Sequence, residues 1–249
     1  MTILVSAFLA NINTRRDRNV EKYFEYGKKL LSVPIQKIIF MDQNYFDMFK
    51  IFQNEYTTII PFKNKNMYFY NSEYFNEITK FNINSTCPEK DTLEYMFTIC
   101  YKSEFIKDAI ENYTKYYKKR YKSEQFIWIY FGINHVMKCS DTEFQQKIIN
   151  MCFKNYDNIR IASIWDVNCN YSIDIYKDIS WYFAGGIFGG NSTYLLKFAD
   201  LVKENCIKII KECNTLMWEV NIYFLVYREN QELFSLYKSD HNNSIIDNY

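Results

Sequence analysis

Glycine and proline are scarce in this chain, whose 249 residues include only 6 glycines and 3 prolines. This glycine usage is well below the ordinary level of about 7%, and neither an internal repeat nor a low-complexity tract is present. No apolar run approaches the roughly 18 residues that a membrane span requires. Nothing resembles a linker between two cores, so we expect one globular domain over residues 1–249 without a transmembrane segment.

A disulfide framework is also missing. The seven cysteines are odd in number, widely spaced and free of any Cys-x-x-Cys pair, which argues against disulfides and zinc knuckles. The apolar start Thr2–Phe8 is too short for the core of a signal peptide and lacks a basic region before it. We therefore expect a cytoplasmic, reducing location.

The charge balance excludes a strong general attraction to polyanions, because 30 Lys and Arg residues face 29 Asp and Glu residues. No net field draws the chain to nucleic acid, so an anionic ligand must be held locally. The basic run Lys115–Lys122 has two interpretations. It is either a solvated helix end or a patch that faces an acceptor or makes peripheral contact with a membrane.

Apolar strand-like runs alternate with helix-like periodicity along the chain. This βαβ rhythm predicts an α/β fold with a Rossmann-like, mixed but mostly parallel sheet flanked by helices. Strands are predicted at Thr2–Phe8, Lys37–Met41, Thr57–Phe62, Gln125–Phe131 and Ile159–Trp165. Helices are predicted from Asn19 to Pro34, at Tyr45–Phe52, from Asp91 onward, and at Phe144–Phe153, Tyr194–Cys213, Leu216–Tyr227 and Glu232–Tyr237.

The hexapeptide Gly185-Gly186-Ile187-Phe188-Gly189-Gly190 holds four of the six glycines. Glycine permits positive φ and close backbone approach, so this segment is predicted to be a loop wrapped against substrate. The alternative is a tight turn. It is not a dinucleotide-binding fingerprint, because the Gly-x-Gly-x-x-Gly order is absent and the first strand lies far upstream.

Arg15 and Arg18 follow the first strand, at the carboxyl edge where open α/β sheets bind ligands. Guanidinium groups suit phosphate oxygens, so a diphosphate is expected here, helped by the amino end of the next helix. The alternative is a surface loop with Asp17 as a helix cap. Asp42 ends the second strand and could accept a hydrogen bond from a ribose or a base.

Three further positions are candidates for chemistry. Glu219 lies within an otherwise apolar helix, where an unpaired carboxylate would be costly, so it is predicted to face a site or a partner. His135 follows the fourth predicted strand. His241, in Asp240-His241-Asn242, could ligate a divalent ion or contact a diphosphate. A structural role is the alternative for both histidines.

Several segments together resemble the WlaTC/HtrL/YibB family of glycosyltransferases, almost from end to end. They are Thr2–Phe8, Lys90–Met96, Phe126–Gly132, the glycine segment, Trp218–Asn221 and Asp240–Asn242. The resemblance implies a GT-A-like fold, a nucleotide-sugar donor with UDP favoured, and a saccharide or other hydroxyl acceptor. On the matching segments it also implies donor-binding positions at Ser6, Ala7, Lys90, Asp91, Tyr130 and Gly132.

One departure concerns metal use. In the family pattern the central strand ends Trp-Ile-Asp-Phe-Gly, whereas this chain has Tyr130 at the Asp position. A phenol is a poor ligand for Mn²⁺ or Mg²⁺. Three alternatives remain open: Asp240 and His241 hold the ion, or Arg15, Arg18 and Lys90 neutralise the diphosphate instead, or this chain is inactive.

The preferred prediction is a glycosyltransferase with the donor sugar near Gly185–Gly190. If the reaction inverts configuration, Glu219 or His135 is the expected base. The main alternative is a catalytically inactive protein of the same fold that binds a nucleotide sugar or a saccharide. A phosphate-handling hydrolytic enzyme is disfavoured, because no Gly-x-Ser-x-Gly elbow, Walker lysine or cysteine–histidine signature is present.

Overall fold

A computed structural model describes residues 2–10, 19–117 and 123–249. Seven strands of these residues form a single sheet in the order β3-β2-β1-β4-β6-β5-β7. The strands are β1 (Thr2–Phe8), β2 (Lys37–Asp42), β3 (Thr57–Phe62), β4 (Gln125–Ile129), β5 (Ile159–Ser163), β6 (Phe183–Asn191) and β7 (Phe234–Lys238). The predicted fold class is confirmed: the sheet is mixed, mostly parallel and flanked by helices.

Ten α-helices lie in the described residues. They are α1 (Val20–Leu31), α2 (Phe46–Phe49), α3 (Ser72–Phe75), α4 (Leu93–Cys100), α5 (Lys102–Glu111), α6 (Tyr113–Tyr117), α7 (Asp141–Cys152), α8 (Ser192–Cys213), α9 (Glu219–Glu229) and α10 (Ser244–Asp247). Polar side chains cap several of the amino ends, as with Asn19 at α1 and Thr92 at α4, each accepting from a backbone N–H of the first turn. No helix among the described residues is both long and apolar enough to cross a membrane.

The central strands are buried on both faces, which explains their continuous apolar sequences. β1 pairs in parallel with β2 and with β4, and β2 pairs in parallel with β3. β6 runs antiparallel to both of its neighbours, β4 and β5. The carboxyl ends of β1 and β4 therefore lie at the same edge of the sheet as the amino-terminal half of β6. All three strands contribute side chains or backbone to this edge.

Helices cover both faces of the sheet, as a doubly wound fold requires. On one face, α5 packs against β1 and β4, and α8 and α9 pack against β6. Ile3, Val5 and Trp128 belong to that core. On the other face, α7 contacts β1 and α10 contacts β6, around a core that includes Leu4 and Ile129. Successive residues of a strand thus serve opposite cores.

Two predictions of local structure are wrong. Glu232–Tyr237 is not a helix: a single 3₁₀ turn at Gln231–Leu233 leads into β7. β7 extends the sheet by pairing in parallel with β5, and this buries Phe234 and Tyr237. Pairing with a strand that is distant in sequence overrides the local pattern.

The glycine segment is also not a loop, because it forms the body of β6. Its glycines allow neighbouring groups to approach closely. A Cβ at Gly189 would lie 2.5 Å from the carbonyl oxygen of Phe126 on β4, and one at Gly190 would lie 2.1 Å from the carbonyl oxygen of Asn158. Gly190 also has a φ of +141°, which side chains rarely allow. Tight strand packing explains this half of the glycine segment.

Candidate functional site

A cavity of about 240 Å³ opens at the edge where β1 and β4 end. Ala7, Phe8 and Leu9 contribute from β1 and the residue after it, and Gly185 and Gly186 contribute from β6. The remaining lining combines aromatic and charged side chains: Tyr23, Lys90, Tyr95, Lys102, Phe105, Trp128, Tyr130, His135, Trp181, Trp218, Glu219 and His241, with Thr98, Ile99, Ile179 and Val220. Apolar walls with a few convergent polar groups are typical of ligand sites. We call this space the first cavity.

A buried ion pair lies in the lining of the first cavity. The Lys102 ammonium at the start of α5 donates to Glu219 Oε1 at the start of α9, and it also donates to the carbonyl oxygen of Gly185 at 3.1 Å. The two side chains are only 10% and 8% exposed. Glu219 therefore has the partner that its apolar sequence context predicts, and it also faces the site.

The two glycines at this end of β6 have a packing reason of their own. A Cβ at Gly185 would lie 2.2 Å from Glu219 Oε1, so any side chain there would displace the carboxylate from Lys102. The carbonyl oxygen of Gly186 accepts from the backbone N–H of Tyr130 at 2.9 Å. The backbone of Gly185 and Gly186 thus lines the first cavity. These glycines belong to strand β6 and not to the predicted loop.

Tyr130 lies directly after β4 and lines the first cavity. Its ring makes edge contacts with Tyr23 and with His135, with centroids 6.2 Å and 5.9 Å apart. His135 Nδ1 lies 2.7 Å from the carbonyl oxygen of Gly132. Because a carbonyl only accepts, Nδ1 must carry the hydrogen, and in the neutral ring the lone pair then resides on Nε2.

A second cavity, of about 640 Å³, adjoins the first. Lys90 borders both cavities, and its ammonium lies 2.6 Å from Asp91 Oδ1 and 4.6 Å from the centroid of the Tyr95 ring. Asp91 Oδ2 also accepts from the Ser85 hydroxyl at 2.5 Å. Of the predicted donor-binding residues, Lys90 thus lies where the two cavities meet, and Asp91 lines the second cavity.

The proposed metal ligands are placed less favourably. His241 lines the first cavity and packs edge-on against Trp181, with centroids 4.6 Å apart. Burial lowers the pKa of His241, and the charge of Asp240 opposes that shift. Asp240 accepts from the His241 backbone N–H at 2.7 Å and does not line the cavity. Within residues 2–10, 19–117 and 123–249, no three His, Cys, Asp or Glu side chains are grouped to hold a metal ion.

Several predicted site residues line neither cavity. The Ser6 hydroxyl donates to the carbonyl oxygen of Ile129 at 2.6 Å, and Asp42 accepts from the backbone N–H groups of Ala10 and Asn44. Both are buried structural contacts. Gly132, Gly189 and Gly190 line neither cavity. Arg15 and Arg18 lie outside the described residues.

Among the lining residues that were not predicted from sequence are Lys102, Trp181 and Trp218. Lys102 occupies the buried face of α5, three and four residues before Phe105 and Ile106, and a lysine at such a position signals a buried partner. Trp181 and Trp218 border both cavities. Trp181 lies shortly before the glycine segment, and Trp218 precedes Glu219 in one of the segments that carry the family resemblance.

Fold and cavity together define an α/β protein with a cavity at the carboxyl edge of a mostly parallel sheet. Within this class the chain belongs to the HtrL_YibB family, described as "bacterial protein of unknown function", whose family model matches residues 2–245. No curated protein matches the chain.

Two solved structures are similar in fold. Mouse xyloside xylosyltransferase 1 in its apo form has 9% identity and a TM-score of 0.46, covering 95% of this chain and 85% of that chain. The 4-diphosphocytidyl-2C-methyl-D-erythritol synthase from Anaerococcus prevotii has 9% identity and a TM-score of 0.43, covering 98% and 90%. At such low similarity, neither structure supports a statement about function.

Proposed function

We propose that this protein transfers a glycosyl group from a nucleotide-diphosphate sugar to a hydroxyl acceptor. The supporting observation is the first cavity, whose lining sets two ammonium groups, Lys90 and Lys102, against one carboxylate, Glu219. Each ammonium has three N–H donors, so a lysine that already bonds a carboxylate can still bond a phosphate oxygen. Aromatic side chains around these charges offer apolar surface for a sugar or a base.

Further positive charge for the diphosphate comes, in this proposal, from Arg15 and Arg18. Leu9 and Tyr23 both line the first cavity. Arg15 and Arg18 lie between these two residues in the sequence. The proposed reaction is written without a metal ion, with cationic side chains neutralising the diphosphate in its place.

In the proposed reaction, the acceptor oxygen forms a bond to the anomeric carbon while the bond from that carbon to the diphosphate oxygen breaks. The leaving diphosphate takes the electron pair, and the cationic groups stabilise its developing charge. For an inverting reaction, His135 Nε2 takes the acceptor proton. We favour His135 as the base because its Nδ1 contact with the carbonyl oxygen of Gly132 leaves the lone pair of the neutral ring on Nε2, whereas Glu219 forms the buried pair with Lys102.

Calorimetric titration with UDP and a panel of UDP-sugars, combined with a donor-hydrolysis assay, tests this function. The Lys102→Met/Glu219→Gln double variant removes the buried pair from the cavity without a change in net charge. Lys107→Met/Asp200→Asn is a matched control, since Lys107 Nζ and Asp200 Oδ1 lie 2.5 Å apart, also between α5 and a neighbouring helix, but outside the cavity. We expect weaker donor binding only in the first variant. Equal donor affinity in the two double variants would show that the donor does not bind in the first cavity.

A second candidate is a protein that binds nucleotide sugars without turnover. The observation in its favour is Tyr130, which lines the cavity where the family pattern has an acidic residue. Tight binding of a UDP-sugar with neither hydrolysis nor transfer would favour this candidate over the enzyme.

A further inference from the structure

The second cavity differs from the first in charge. Its charged lining consists of Glu89 and Asp91 against Lys90. A phosphate group in this cavity would meet two carboxylates, so Coulomb repulsion disfavours a nucleotide there. A neutral ligand rich in hydroxyl groups meets no such repulsion, and carboxylate oxygens are strong acceptors for its O–H donors.

The carboxylate of Asp91 is held in a fixed position. Its residue is 8% exposed, and its two oxygens are oriented by the Lys90 ammonium and the Ser85 hydroxyl. Each carboxylate oxygen has further acceptor capacity after one such bond. Asp91 Oδ1 is enclosed beside the Lys90 ammonium, so the acceptor capacity that Asp91 offers to the second cavity is what remains on Oδ2 after its bond from Ser85.

Aromatic surface complements these polar groups. Trp181 is half-buried and is oriented by its edge contact with His241, while Trp218 is 3% exposed and forms a rigid wall. Both tryptophans border both cavities, as does Lys90. A pyranose ring has an apolar C–H face and a hydroxyl-bearing edge, and an indole face beside a carboxylate matches both.

We propose that the second cavity is a saccharide-binding subsite, in which a pyranose lies against Trp181 and donates hydroxyl hydrogen bonds to Asp91. Its assignment as the acceptor position rests on the proposed function. Lys90, Trp181 and Trp218 line both cavities and mark the boundary between them. With the donor in the first cavity, the acceptor hydroxyl would reach the anomeric carbon across this boundary.

Saturation-transfer NMR with a panel of methyl glycosides (glucoside, galactoside, mannoside, xyloside and N-acetylglucosaminide) tests the subsite, with and without saturating UDP. At least one glycoside is expected to bind and to remain bound when UDP is added. Trp181→Leu should lower its affinity roughly tenfold, the scale of a lost aromatic contact, and Trp181→Phe should lower it less. Asp91→Asn should also weaken binding.

Trp165→Leu is the matched control, because Trp165 contacts Tyr171 and Tyr182 and lines neither cavity. Thermal melts of each variant separate lost folding from lost binding. Failure of every glycoside to bind, displacement of the glycoside by UDP, or unchanged affinity in Trp181→Leu would each overturn the subsite. Trp181-dependent glycoside binding without any UDP binding would contradict the donor site alone.

Discussion

Removal of one partner of the Lys102–Glu219 pair is expected to destabilise the fold strongly. Both side chains are about nine-tenths buried, at 10% and 8% exposure, and α5 and α9 are connected through them. Lys102→Met leaves the Glu219 carboxylate buried without its counter-charge. Breaking a buried pair in this way costs about 3–5 kcal/mol, a large part of the roughly 5–15 kcal/mol that stabilises a domain.

The double variant Lys102→Met/Glu219→Gln removes both charges and should recover most of that loss, to within about 1–2 kcal/mol of the wild type. Urea denaturation of the wild type, both single variants and the double variant gives the coupling energy directly. The Lys107–Asp200 pair is the internal reference. Its side chains are 25% and 53% exposed, so its coupling should be only about 0.2–1 kcal/mol. Equal coupling energies for the two pairs, or additive effects at Lys102 and Glu219, would refute this reasoning.

Four further outcomes are expected. Gly189→Val should abolish folding rather than transfer alone, because even a Cβ there would lie 2.5 Å from a β4 carbonyl oxygen; a soluble variant that melts like the wild type would contradict this. Burial lowers the pKa of Lys37 to about 8. Above that pH the unfolded chain holds a proton on Lys37 that the folded chain has lost. The free energy of unfolding, relative to that of Lys37→Met, should therefore rise by about 2–3 kcal/mol from pH 8 to pH 10. A difference between the two proteins that does not change with pH in urea denaturation would exclude the lowered pKa. Arg15→Ala or Arg18→Ala should weaken UDP binding by about 1.5–3 kcal/mol in calorimetry, and unchanged affinity in both would place the diphosphate elsewhere. EDTA should reduce the glycosyl transfer of the wild type only modestly. Tyr130→Asp should raise the affinity for Mn²⁺, because a carboxylate attracts a dication and a phenol does not. Complete loss of wild-type activity in EDTA, restored by Mn²⁺, would contradict a reaction without a metal ion.

Most of the sheet could be predicted from sequence, because its central strands are buried on both faces and are continuously apolar. The run at Thr2–Phe8 coincides with β1, and the run at Lys37–Met41 covers β2 except for its last residue, Asp42. β7 could not be predicted, since Leu233, Phe234 and Tyr237 also fit a short helix. Only pairing with β5 decides the matter, and that contact joins residues about 75 positions apart, such as Ile159 and Phe234.

The candidate site was predictable where a residue conflicted with its local context. Glu219 in an apolar helix is such a conflict, and the structure places it beside the cavity. Its partner Lys102 lies 117 residues away, so the pairing itself could not be derived from local sequence. The glycine cluster was recognised as unusual, but its two halves differ. Gly185 accommodates Glu219, whereas Gly189 accommodates the backbone of β4.

A crystal structure of the protein with a bound UDP-sugar tests the central claim most directly. We expect the donor in the first cavity, with the sugar beside Gly185 and Gly186, a diphosphate oxygen within hydrogen-bonding distance of Lys102 or Lys90, and the second cavity left open for the acceptor. Donor density elsewhere on the protein, or diphosphate oxygens bonded to neither lysine, would contradict the account.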